Sequence, residues 1–125
     1  MNLVYVALGG SLGAIARYIV SVSINLSVNR DLPYGTLFVN TTGSFAIGFL
    51  FAVFERTGLP ADLKLLLVTG FLGAYTTFSS YSLETVNLAL NGKFLLAASN
   101  FCLNNLLCLA LTVIGIKAGR ACFGG

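Results

Sequence analysis

The sequence predicts an all-α membrane protein: one domain over residues 1–125, four transmembrane helices, the third broken near mid-membrane. Composition gives the class. Of 125 residues, 57% are hydrophobic and only 9% charged, with a mean hydropathy of +0.91; a soluble domain carries about 25% charged residues. So few charges cannot clothe a small globule, whose surface is large for its volume. Charge placement gives the number of spans. The charged residues cluster at intervals, and the apolar stretches between them approach the ~20 residues that cross a bilayer core. Histidine is absent, which removes the commonest general base and a common transition-metal ligand. Seven basic and four acidic residues are too few for a nucleic-acid groove, so no nucleic-acid partner is expected.

The first span runs from Leu3 to about Ser27, apolar apart from Arg17, and ends at Asn29-Arg30-Asp31-Leu32-Pro33. It reads as a span of the mature protein rather than a leader, because a basic start is missing and Arg17 interrupts the apolar run. The second covers Tyr34 to Phe54 and ends at Glu55-Arg56-Thr57-Gly58-Leu59-Pro60. Turn formers and a proline sit in both boundaries, where a helix should stop. The third runs from about Leu63 to Leu90 and ends at Asn91-Gly92-Lys93. The fourth extends from Phe94 to Ile116 and ends at Lys117. Three small-residue pairs, Gly9/Gly13, Ser44/Gly48 and Gly115/Gly119, have the spacing that lets helices approach closely in lipid.

With four spans, Arg56, Lys64, Lys117 and Arg120 fall on one side of the membrane, and Arg30 and Lys93 on the other, with Arg17 near that side. Orientation follows the lysine and arginine imbalance of short loops. Here it amounts to one or two charges, which permits insertion both ways and hence an antiparallel homodimer, or one slightly preferred orientation. Cys102, Cys108 and Cys122 are odd in number and lack metal-ligand spacing, so they read as small core residues. Arg17 and Glu84 are the only charges well inside apolar stretches. Intramembrane charges are candidates for an ion pathway, with snorkelling anchors as the alternative.

Uncharged polar residues supply the stronger signal. Thr36, Asn40 and Ser44 recur at steps of four in the second span, as do Asn100, Asn104, Cys108 and Thr112 in the fourth. Each row makes a slanting stripe on its helix. Asparagine is expensive in hydrocarbon unless its amide is paired; the choice lies between helix–helix hydrogen bonds and a polar track. Amides and hydroxyls are neutral donors, suited to replacing the water around a small anion without trapping it. The third span holds Gly70-Phe71-Leu72-Gly73-Ala74-Tyr75-Thr76-Thr77-Phe78-Ser79-Ser80-Tyr81-Ser82. Glycine and paired threonines are poor helix formers. A break there would free carbonyls able to hold a hard cation, and Phe78 could offer an electropositive ring edge to an anion.

Taken in order, three segments resemble the Fluc (CrcB) family of fluoride channels over nearly the whole chain. They are Gly9-Gly10-Ser11-Leu12-Gly13-Ala14-Ile15-Ala16-Arg17-Tyr18, then Gly35-Thr36-Leu37-Phe38-Val39-Asn40-Thr41-Thr42-Gly43-Ser44-Phe45, and then Gly70-Phe71-Leu72-Gly73 with Thr76-Thr77-Phe78-Ser79-Ser80 and Glu84. The resemblance implies an antiparallel, dual-topology homodimer with two fluoride pores and one structural Na⁺, in a bacterial inner membrane. It implies that carbonyls of Gly73 and Thr76 from both copies hold the sodium. Asn40, Thr36, Phe78, Tyr81, Ser79, Ser80, Asn100 and Asn104 would line the pore, with Arg17 and Glu84 at its vestibules. Tyr81 stands where the family has a second phenylalanine, and Asn100, Asn104 and Cys108 where it more often has tyrosine and serine. The implied activity is passive fluoride efflux. Nothing resembles a nucleotide site or a nucleophile–base pair, so no enzyme is expected. A small multidrug-type exporter would need an acidic residue in the first span, which has none. A non-transporting assembly subunit would explain the small-residue faces but not the stripes.

Overall fold

In a computed structural model, which describes residues 2–28 and 30–124, the chain is helical almost throughout. Helix α1 spans Asn2–Val28 and α2 spans Tyr34–Thr57. Helix α3 covers residues 61–75: an opening turn Ala61–Lys64, widened π-type turns over Leu65–Leu72, and Gly73–Tyr75. Helix α4 is Phe78–Leu90, and α5 runs over Phe94–Phe123 with a second π-type segment at Leu103–Leu107. Three of these, α1, α2 and α5, are each long and apolar enough to cross a membrane. The third span is α3 followed by α4, interrupted at Thr76 and Thr77.

The boundaries differ from the sequence reading mainly at the end of α5, two turns beyond Lys117. Lys117 and Arg120 are long chains that can keep their charged ends near water while their stems lie along the helix. Arg120 reaches Glu55 at 3.2 Å. At the opposite end Lys93 reaches Asp31 at 3.1 Å. One exposed pair at each end accords with four crossings; each contributes about 0–1 kcal/mol. Gly58, with φ +63°, ends α2 in the left-handed region that a side chain rarely adopts.

Close backbone approach organises the bundle. A Cβ added at Gly9 or Gly13 would strike the backbone of Leu66 or Phe71 in α3. One added at Gly48 would strike Thr112, and one at Gly115 would strike Phe45, so α2 and α5 are pressed together. The five glycines of the three small-residue pairs thus lie in helix seams. Helix α2 is central: Val39 and Ala52 are fully buried and Thr36, Asn40 and Thr41 are nearly so. The outer faces are apolar and exposed, including Leu3, Leu12, Leu95, Phe101 and Leu109. With no water to bond in the hydrocarbon, helices that satisfy their own backbones are the structure available. The chain is a multi-pass membrane protein.

One sequence expectation needs correction. Cys102 and Cys122 lie exposed and Cys108 half-buried, all three as free thiols, so they are not core residues. A small polarizable thiol carries little polarity, which makes the exposed positions of Cys102 and Cys122 on an apolar chain tolerable.

Candidate functional site

The break in the third span is built by side chains. In a continuous helix the Thr77 N–H would bond the carbonyl of Gly73, and the Ser80 N–H that of Thr76. Here Thr77 N donates to Asn40 Oδ1 at 2.8 Å, and Ser80 N donates to Thr77 Oγ1 at 3.1 Å. Both expected donors are therefore diverted. The second bond is an N-cap that starts α4, with Thr77 in extended backbone conformation. Asn40 also donates from Nδ2 to the Thr77 carbonyl at 3.1 Å. One buried amide thus engages both backbone groups of Thr77 and takes over the helical role of its N–H. The carbonyls of Gly73 and Thr76, the two positions expected to hold a cation, are those whose helical donors have been redirected. Among the described residues no three of Cys, Asp and Glu come together; a hard cation here would rely on oxygen atoms of this kind.

From Asn40 an uncharged chain of hydrogen bonds crosses the bundle. Asn40 Nδ2 donates to Asn104 Oδ1 at 2.9 Å, and Asn104 Nδ2 donates to Asn100 Oδ1 at 3.0 Å. Asn100 Nδ2 donates to Thr85 Oγ1 at 2.9 Å, and that hydroxyl donates to the Tyr81 carbonyl at 2.7 Å. Asn100 has no exposed surface at all. The two stripes therefore meet rather than lying on separate faces. One turn before Asn40, Thr36 donates to Glu84 Oε1 at 2.7 Å. Glu84 Oε2 and Arg17 Nε are buried with no hydrogen-bond partner among the described residues, so each intramembrane charge has an unsatisfied side.

Beside this chain lies a cleft of 350 Å³ open to the surface of the bundle. Asn40, Ser44, Gly73, Thr76, Phe78 and Tyr81 line it, with Thr77, Asn104, Asn105 and Cys108. Phe78 and Tyr81 meet edge to face, with centroids 5.2 Å apart at 69°. Their exposures differ sharply: Phe78 is 76% exposed in the single chain and Tyr81 only 6%. Ser79 is exposed and lies 3.4 Å from the Thr77 hydroxyl, while Ser80 sits in the first turn of α4, half-buried. Of the residues singled out from sequence, Asn40, Asn104, Phe78, Tyr81, Gly73 and Thr76 come together at the cleft. Thr36, Glu84 and Asn100 lie behind it, and Arg17 stands apart on α1.

Sequence reasoning gave three participants no place in the hydrogen-bond chain. Thr77 and Thr85 flank Tyr81 at steps of four, a row that could have been read from the spacing. Asn105 could not, since a regular helix turns it 100° from Asn104. Both fall in the π-type segment, and Asn105 donates to the Tyr81 hydroxyl at 2.9 Å. Such segments recur at functional sites.

Comparison with known proteins bears on the same residues. The family model described as CrcB-like protein, Camphor Resistance (CrcB), matches residues 4–116. The chain belongs to the CrcB family. A relative from Magnetococcus marinus, named fluoride-specific ion channel FluC, is 46% identical over 96% of this chain and 98% of its own length. One of the same name from Geobacter metallireducens is 44% identical over the same shares. A third, from Methylococcus capsulatus, is 46% identical over 96% of this chain, which spans 53% of that longer protein. The cleft and the broken span of this CrcB-family chain both lie within the matched region.

Proposed function

We propose that this protein is a fluoride-selective channel that lets the ion leave the cell passively across a bacterial inner membrane. The observation that carries the reading is the uncharged chain from Thr77 through Asn40, Asn104 and Asn100 to Thr85, beside two aromatic rings at a cleft. Its relatives' name agrees with this reading.

Fluoride is a small, strongly hydrated acceptor. An ion arriving at Asn40 takes the N–H that now points at Asn104 Oδ1. One acceptor replaces another, so no donor is left bare at any step. The amide is neutral, and the ion is released as readily as it is held. Phe78, and the Tyr81 ring set against it, offer electropositive edges that suit an anion and exclude water. Thr36, Ser79 and Ser80 extend the donors to either side, and Arg17 and Glu84 mark the approaches.

The cleft is open because a single chain forms one wall of it. A second copy in antiparallel orientation closes it, covers Phe78 and brings two broken spans together. The four carbonyls of Gly73 and Thr76 from the two copies would then hold one Na⁺, which supplies positive charge at the centre of the assembly and is not transported. Fluoride enters cells as neutral HF, dissociates in a less acidic cytoplasm, and leaves through the channel down its electrochemical gradient.

Purified protein in liposomes loaded with fluoride tests this directly. Efflux read by a fluoride electrode should far exceed that of protein-free vesicles, and replacing all Na⁺ by a large organic cation should reduce it. Flux no greater than that of empty vesicles would overturn the channel reading; full flux without Na⁺ would overturn the sodium site.

A further inference from the structure

Tyr81 brings a hydroxyl to the wall of the cleft, and its hydrogen-bond arrangement sets which way that group can act. The Asn105 amide fixes the direction. Asn105 Nδ2 lies 2.8 Å from the carbonyl oxygen of Phe101, an atom that can only accept. The amide nitrogen must therefore face Phe101, which settles the orientation of the side chain. That same nitrogen lies 2.9 Å from the Tyr81 hydroxyl oxygen. Tyr81 is thus the acceptor in this pair, and its own proton is not used there. Among the described residues the hydroxyl donates to no protein acceptor. The side chain is 6% exposed, lines the cleft, and has its ring braced against Phe78.

We infer that the Tyr81 hydroxyl is a further hydrogen-bond donor to the permeating anion, held ready by Asn105. Asn105 is a positioning residue: by occupying a lone pair it keeps the O–H from turning back into the protein. An accepted hydrogen bond also polarises the O–H and strengthens its donation. The inference rests on the channel reading above and deepens it. Tyr81 contributes to this chain a neutral donor in addition to an aromatic edge, which favours the strongest hydrogen-bond acceptor among the halides and so sharpens discrimination against chloride.

Fluoride and chloride efflux from liposomes, measured for the parent chain, Tyr81→Phe, Asn105→Leu and the double variant, tests this. Each variant is first checked for the parent's elution volume in detergent. Tyr81→Phe keeps the ring, and should lower fluoride efflux about tenfold and narrow the fluoride-to-chloride ratio. Asn105→Leu alone should lower fluoride efflux by a smaller factor. In the Tyr81→Phe background it should add nothing, because its effect passes through the hydroxyl. Parent-like fluoride efflux from Tyr81→Phe would overturn the inference. So would an Asn105→Leu loss of equal factor in both backgrounds, which marks a packing role. If the parent itself passes no fluoride, it is the channel reading that fails.

Discussion

At the scale of single residues, the site pairs neutral polar groups with one another, and in the proposed channel an arriving ion takes the place of one partner. Asn40 uses both amide hydrogens and its oxygen in three bonds of 3.1 Å or less. Each would leave a buried group unpaired if lost, at about 1–3 kcal/mol apiece. Phe78 is the contrasting case. Its side chain makes no hydrogen bond and is mostly exposed in the single chain, so it contributes little to the fold of one copy, and its part lies in the proposed pathway. Phe78→Ile should lower fluoride efflux at least tenfold, while the thermal unfolding midpoint in detergent stays within about 2 °C of the parent, as expected for a surface change within ±0.5 kcal/mol. The stripes at steps of four pointed to Asn40, Asn100 and Asn104 because those spacings are helical. Asn105 escaped because π-type turns shift the face on which a residue falls, and no residue type announces such a turn.

At the scale of elements, backbone proximity decides the architecture. Helix α1 lies so close to α3 that Gly9 and Gly13 have no room for a methyl group, whereas Gly10 has ordinary clearance, with Gly70 O at 3.9 Å. Gly13→Ala should therefore destabilise the protein by about 1–3 kcal/mol through overpacking. Gly10→Ala should be neutral or slightly stabilising, since alanine favours a helix by up to about 1 kcal/mol over glycine. Thermal unfolding of the two variants in detergent separates them: equal midpoints would contradict the seam described here. The small-residue spacing made these seams legible, but not which helix each glycine would meet, because pairing depends on the loops and the tilt of every span. The break was legible from Gly73, Thr76 and Thr77 as weak helix formers. Its construction was not, since it depends on Asn40 reaching across from another helix.

At the scale of the whole molecule, four spans and their boundaries could be read from where apolar runs yield to charge and turn formers. The C-terminal end of α5 could not, because Lys117 looks like a stop signal yet the helix continues to Phe123. Gly73, Thr76 and the exposed Phe78 all line the open cleft, which a second antiparallel copy completes in the proposed assembly. The central claim is that neutral donors clustered at the break in the third span replace the water around fluoride. Fluoride efflux from liposomes containing Asn40→Leu, set beside the parent at equal protein and with the size of each assembly checked in detergent, tests it most directly. The account predicts at least a tenfold loss of fluoride efflux from a protein that still elutes with the parent. Parent-like efflux from Asn40→Leu would contradict it.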